Sequence, residues 1–207
     1  DTLSLHDALP IYHTTQANMK PHALVLSAAL LAPVAWGQAP NATPVSPPAL
    51  NTVAEISVER YMGRWYEIAK LPNWFQRNCA ADTSAQYSLL PQGGVQVLNQ
   101  CRRPNGEMDQ ALGLAQQQGG PSSPKLKVRF APAWLSLLPW VWGDYWVVDL
   151  DPAYELVAVS EPRREYLWVL SRTPTVEPTR YAALLARLSA MGLPVDKLEK
   201  TQHTASR

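Results

Sequence analysis

Lys125-Leu126-Lys127-Val128-Arg129-Phe130 alternates without a break: Leu126, Val128 and Phe130 fall on one face, Lys125, Lys127 and Arg129 on the other. Successive side chains of a strand point to opposite faces, so this run predicts a strand with one side on a core and one in water. Segments of the same kind recur on both sides of it, at 64–71, 82–90, 94–102, 108–117, 144–150, 154–160 and 165–172, separated by Gly, Pro, Asn and Asp. Including 125–131, they predict eight short strands. Pro91-Gln92-Gly93-Gly94, Pro104-Asn105-Gly106 and Asp151-Pro152-Ala153 have the chemistry of hairpin turns, which makes the order a meander. An all-β, up-and-down antiparallel barrel of this size leaves an interior for side chains or one small ligand; pattern alone also admits a sandwich. After Arg172 the period changes. Tyr181, Leu184, Leu185, Leu188 and Met191 fall at helical spacing, with Pro178 near the start and Gly192 at the end. That predicts one amphipathic C-terminal helix packed outside the sheet.

The chain has 207 residues, 46% of them apolar, enough for one sizeable core plus appendages. A net charge of +1 with only 17% charged residues and no basic run argues against a nucleic-acid partner. Residues 19–37, with the apolar run Ala23–Ala35 followed by Trp36-Gly37, read as a secretory signal peptide too short to span a bilayer. Residues 1–18 do not fit a charged leader and are expected to be a non-native extension. Residues 38–51 contain four prolines without periodicity and predict a stiff linker, so the folded domain runs over 52–207. No Cys lies near the cleavage site, so the expected product is exported, periplasmic or secreted, soluble and without a lipoprotein anchor.

Cys79 and Cys101 are the only cysteines. In an oxidising compartment a disulfide is the expected outcome, with two separate buried thiols as the other. His6, His13, His22 and His203 all lie outside the predicted barrel strands, so neither a His base nor a His-based metal site can be built inside. No metal, cofactor or catalytic residue is expected.

Three motifs then fall in order: Gly63-Arg64-Trp65 within VERYMGRWYEIAKLP, Asp149–Tyr154 (DLDPAY) at the turn between the sixth and seventh strands, and Arg172 in YLWVLSRTP. Together they make the chain from about Val58 to Gln202 resemble the lipocalin family, particularly the bacterial lipocalin and apolipoprotein D group. Leu150 and Pro152 depart from the family's usual Thr and Tyr around Asp151, which leaves that turn's geometry open. The resemblance implies that Gly63, Trp65 and Arg172 form a structural floor, the Arg lying across the Trp. It also brings Cys79 and Cys101 onto hairpin neighbours.

Taking Trp65 and Arg172 as inward, strand parity turns Glu67, Ala69, Tyr166, Trp168 and Leu170 inward as well. The other inner positions are Ala85, Tyr87 and Leu89; Val95, Val97 and Asn99; Ala111, Gly113 and Ala115; Leu126, Val128 and Phe130; Trp146 and Val148; and Tyr154, Leu156 and Ala158. Small residues on one wall opposite aromatics predict an apolar cavity. Its expected ligand contacts are Glu67, Ala85, Tyr87, Val97, Asn99, Gly113, Val128, Phe130, Trp146, Tyr166 and Trp168. Glu67 needs a partner, a Tyr or Arg near the floor or a ligand, because an unpaired buried carboxylate is costly. The loop 131–142, carrying Trp134, Trp140 and Trp142, should return to the mouth as a lid or as a peripheral membrane contact. What the family implies is a non-enzymatic carrier or store for a fatty acid, a lysophospholipid-like lipid or a similar apolar molecule, with a place in cell-envelope lipid maintenance. The alternatives are a porphyrin or haem carrier and a lipocalin-fold isomerase. The sequence is silent on oligomeric state.

Overall fold

The computed structural model describes residues 48–131, 138 and 141–204. The expectations for 1–37, most of the 38–51 linker, and Trp134 and Trp140 lie outside the described residues. Eight strands form at the predicted places: β1 (Gly63–Lys70), β2 (Ala81–Leu89), β3 (Val95–Arg102), β4 (Met108–Gln117), β5 (Lys125–Arg129), β6 (Gly143–Leu150), β7 (Leu156–Ser160) and β8 (Leu167–Ser171). Each pairs antiparallel with the next, and β1 pairs with both β8 and β2, so the sheet closes into a barrel. The alternative of a sandwich falls away.

Turn residues act as their chemistry requires. In the β2–β3 hairpin Gly93 and Gly94 adopt φ of +90° and +85°, left-handed backbone that a side chain disfavours. At the β6–β7 turn Asp151 Oδ1 accepts from the N–H groups of Glu155 and Leu156, so the turn is held by Asp151 itself despite its unusual neighbours.

The predicted helix is α2 (Pro178–Ala190), with Pro178 in its first turn and the Glu177 carboxylate accepting from the N–H groups of Thr179 and Arg180. Leu184 and Leu188 are fully buried against the outside of the barrel, in a cluster with Ala69, Val148, Leu156, Ala158, Leu167 and Val169. A second cluster fills the interior: Tyr61, Trp65, Ala85, Tyr87, Val95, Val97, Ala115, Leu126, Val147, Val157, Val159 and Leu170.

This two-sided burial corrects several facings. Trp146, Val148, Leu156 and Ala158, expected inside, pack on the α2 side. Tyr145, Val147, Val157 and Val159 take their places in the interior. The register states the reason directly: Tyr145 lies opposite the inward Leu126, and Trp146 opposite Lys125, whose Nζ sits 4.2 Å over the indole. Ala69 also changes side, because the β1–β8 register shifts between Glu67 and Ala69. Leu89, at the end of β2, is exposed.

Four small elements among the described residues were not foreseen, among them single 3-10 turns at Trp74–Gln76 and Val195–Lys197. A single turn of helix, α1 (Val58–Tyr61), is capped by the Ser57 hydroxyl and lies under the barrel. A two-residue strand, β9 (Glu199–Lys200), adds to the upper part of β1 where β2 diverges from it. The disulfide joins Cys79 to Cys101 with Cα atoms 5.5 Å apart. Closing its loop, a sequence separation of 22 residues, stabilises the fold by about 3 kcal/mol in the chain-entropy model.

Candidate functional site

One end of the barrel is shut. The Trp65 indole is fully buried and donates from Nε1 to the Tyr61 carbonyl at 2.8 Å. Arg172 lies across it, its guanidinium carbon 3.9 Å from the ring centre. Nε, Nη1 and Nη2 of Arg172 donate to the carbonyls of Tyr154, Arg64 and Arg60, so the cation is held by backbone oxygen on one side and aromatic face on the other. Gly63, at φ +95°, lets the chain pass close beneath: a Cβ there would sit 3.3 Å from Arg172 Nη1.

Above this floor three phenols meet. The Tyr145 hydroxyl is 2.7 Å from that of Tyr61 and 3.0 Å from that of Tyr87. Burial pushes the Tyr87 phenol up to about 12 and holds Tyr61 and Tyr145 well above the ordinary tyrosine value, so all three stay neutral. Their rings, not their hydroxyls, border an apolar cavity of about 20 Å³ together with Ile56, Val58, Met62, Val95, Ala115, Leu126 and Val128. Such a volume suits a single water-sized group.

Toward the other end the inner wall opens. On β4 the inward positions run from Ala115, 1% exposed, through half-buried Gly113 to exposed Ala111, while Asn99 of β3 pairs with Ala111 at the same height. Phe130 bends over this wall, and a Cβ on Gly113 would lie 2.7 Å from its ring. The ring therefore occupies the room that the small residues leave. Across the mouth, Tyr166 stacks on Trp168 at 13°, and Phe75 packs on both.

Glu67 keeps its inward parity, opposite Leu170, and is 3% exposed. Its partners are neither Tyr nor Arg. Thr201 Oγ1 donates to Oε1 and Gln76 Nε2 to Oε2, both at 2.6 Å. Gln76 Oε1 in turn accepts from Trp168 Nε1 at 3.0 Å. Burial raises the Glu67 carboxyl above its ordinary value, against the lowering effect of the two hydrogen bonds. The carboxylate thus ties the β1–β2 loop and the C-terminal segment to the barrel. His203 stays outside the barrel, edge-on to the Tyr66 ring.

Of the expected contacts, Ala85, Tyr87, Val97 and Val128 come together in the interior, with Trp168 packed against them. Gly113 and Phe130 touch, Asn99 stands higher on the inner face, and Tyr166 stands at the mouth. Trp146 faces α2 and is removed from the set. Tyr61 and Tyr145 were missed. The alignment of Tyr145 with Leu126 across β5 and β6 was the signal that would have found the latter. Trp142 is half-buried, with the Arg129 guanidinium carbon 5.2 Å from its ring centre. At the same end as these mouth residues, Trp74 is 70% exposed.

A model of the lipocalin-like domain matches residues 56–203. Temperature-induced lipocalin-1 of Arabidopsis thaliana is 42% identical over 154 residues, covering 73% of this chain and 82% of the relative. The outer membrane lipoprotein Blc of Escherichia coli (strain K12) is 35% identical over 165 residues, covering 79% and 89%. Apolipoprotein D of Mus musculus is 33% identical over 163 residues, covering 75% and 80%. Among solved structures, insecticyanin from the tobacco hornworm Manduca sexta superposes with a TM-score of 0.59 at 18% identity, covering 78% and 88%, a likeness of fold. With the floor, the closed eight-strand barrel and the external helix all in place, the chain belongs to the lipocalin family.

Proposed function

We propose that the protein is a non-enzymatic carrier or store of a fatty acid, a lysophospholipid-like lipid or a similar apolar molecule held in the barrel. The observation that carries this reading is the gradient along the inner wall: sealed at Trp65 and Arg172, lined mainly by apolar side chains, and increasingly exposed from Ala115 to Ala111. A site of this kind buries an aliphatic chain and leaves a polar head near water. Space for the chain comes from displacing Phe130, which is 43% exposed and lies over Gly113 without a strand to hold it. Ala85, Tyr87, Val97, Val128 and Trp168 line the path, and Asn99 and Tyr166 stand where a head group would lie.

Export fits this role. It is supported by the leader-like segment 19–37, by the Cys79–Cys101 disulfide, and by the name outer membrane lipoprotein carried by the Blc relatives. A part in envelope lipid maintenance is in keeping with the outer-membrane location in those relatives' name. The exposed Trp74 and Phe75, together with the Trp-rich loop 131–142, favour contact of the mouth with a membrane surface during loading.

The test is native mass spectrometry with lipid extraction on protein expressed from the full chain, followed by displacement of a fluorescent fatty-acid probe. A co-purifying lipid and saturable displacement are expected. A bare protein that neither carries lipid nor binds the probe overturns the proposal, and a Soret band in the purified protein redirects it to a porphyrin.

A further inference from the structure

β1 and β2 pair directly only in the lower half of the barrel, from Gly63 opposite Tyr87 to Tyr66 opposite Ser84. Above Ser84 the β2–β3 register shifts, and Asp82 takes φ +54°, left-handed backbone at the point where β2 leaves β1. Residues 199–204, Glu-Lys-Thr-Gln-His-Thr, fill the gap. On one side Glu199 and Lys200 pair with Lys70 and Ala69, and the Thr201 N–H donates to the Ile68 carbonyl at 3.0 Å. On the other side the Gln202 carbonyl accepts from the Asp82 N–H, and the N–H and hydroxyl of Thr204 donate to the Asp82 carboxylate. Thr201 Oγ1 also reaches the inward Glu67, so this strap is part of the barrel wall and not a cover laid over it.

The strap is held differently from the strands around it. Every residue of β7 is buried, whereas none of the six strap residues is apolar, and Glu199, Lys200, Gln202 and Thr204 are exposed. Besides the bonds above, it is retained by the Lys70–Glu199 ion pair at 2.8 Å and by Lys200 over the Tyr181 ring. His203 completes the set, with Nε2 2.7 Å from the Glu67 carbonyl oxygen and its ring edge-on to Tyr66. A wall segment that buries no apolar side chain and hangs on partly exposed polar contacts opens at a fraction of the cost of global unfolding. Opening also returns to water the Glu67 carboxyl, which burial holds above its ordinary value. Neighbouring strands stand about 4.8 Å apart, so departure of the one between β1 and β2 leaves a slot about 10 Å wide, room for a hydrocarbon chain.

We propose that residues 199–204 are a side gate: when the strap swings off Asp82, a slot opens between β1 and β2 through which an apolar ligand enters and leaves the barrel interior. This rests on the interior being the ligand site and adds a second route to it beside the mouth. The slot lies directly beneath the β1–β2 loop, which carries the exposed Trp74 and Phe75, so it is on the side of the barrel that favours a membrane surface. A gate changes how often the site is open and leaves the bound state as it was. Weakening it therefore raises association and dissociation together and leaves the affinity unchanged.

The test uses two variants and their combination. Thr204→Val deletes the hydroxyl bond to Asp82, and His203→Phe keeps a ring on Tyr66 but deletes the bond to the Glu67 carbonyl. Hydrogen exchange read by mass spectrometry compares residues 199–204 with 63–66, and stopped-flow mixing with N-phenyl-1-naphthylamine gives the association and dissociation rates. In wild type the strap is expected to exchange at least about tenfold faster than 63–66. Each single variant should raise strap exchange and both probe rates by about fivefold, the worth of one hydrogen bond, and the double variant by more than either. The probe Kd should stay within about twofold of wild type, and exchange at 63–66 should not change. Strap exchange in wild type as slow as that of 63–66 overturns the gate. So does faster strap exchange with unchanged probe rates, which confines entry to the mouth and leaves the carrier reading intact. A weaker Kd at an unchanged association rate makes the strap plain wall and overturns the gate as well. Absence of probe binding in all four proteins overturns the carrier reading itself and the gate with it.

Discussion

The Arg172 guanidinium carbon sits 3.9 Å above the centre of the Trp65 ring while its nitrogens donate to the carbonyls of Tyr154, Arg64 and Arg60. One side chain therefore ties α1, β1, the β6–β7 turn and the end of β8 into a single floor. A lysine keeps the charge but not the plane, and a single ammonium cannot reach three carbonyls in fork geometry. Arg172→Lys is expected to lower stability by about 2–3 kcal/mol, read as a fall in the urea midpoint at unchanged slope. An unchanged midpoint would mean that the stack contributes nothing.

Glu67 sets an acid-side signature. Its folded-state carboxyl value is raised, chiefly by burial, above that of an unfolded chain. The unfolded state therefore releases the proton first as pH rises, and stability present below the unfolded value is lost through the folded one. Glu67→Gln removes the charge, and the Thr201 hydroxyl can turn to accept from the new amide while Gln76 still donates to its oxygen. The variant should have a higher thermal midpoint than wild type at pH 7.5, and the gap should close as the pH falls to about 4. A gap that stays constant over that range assigns the effect to packing.

Strand positions and floor were legible because each rests on a one-sided rule. Lys125–Phe130 alternates since water lies on one face and core on the other, and Gly63, Trp65 and Arg172 announce themselves by spacing. Parity failed on β6 and β7 because α2 covers that part of the sheet from outside. All five residues of β7, Leu156–Ser160, are buried, so alternation carries no information there. The helix stripe was itself predicted, and an apolar outer face on the strands beneath it was the missing inference. The Gln76 and Thr201 partners of Glu67 come from a loop and from the two-residue strand's extension, which no period marks. The tyrosine cluster joins α1, β2 and β6, three elements distant in sequence, and only the closed barrel brings them together.

The rim gives a prediction about membranes. Trp74 is 70% exposed and contacts Phe75 edge-on, so its removal leaves the barrel interior untouched. Trp74→Ala, and separately Trp140→Ala with Trp142→Ala, should each reduce co-sedimentation with vesicles of phosphatidylcholine and phosphatidylglycerol by severalfold, since indole rings favour the headgroup region. Equal sedimentation of wild type and both variants would remove the membrane from the loading step.

Phe130 and Gly113 supply the kinetic test of entry. The Phe130 ring fills the space a Cβ on Gly113 would need, with the Arg129 carbonyl oxygen 2.9 Å from the same point. Gly113→Ala must push the ring outward and strain the neighbouring strand, whereas Phe130→Ala clears the ring and leaves only the backbone approach. The two changes are therefore coupled: Gly113→Ala should cost less stability in the Phe130→Ala background than in wild type, by about 1 kcal/mol. Either change opens the upper wall, so stopped-flow association of an apolar fluorescent probe should be faster in both single variants than in wild type. Faster entry without the stability coupling would place the gate elsewhere on the rim. Coupling without faster entry would make Phe130 a packing residue, because a ring that can be displaced at no gain in rate is not the barrier the ligand meets.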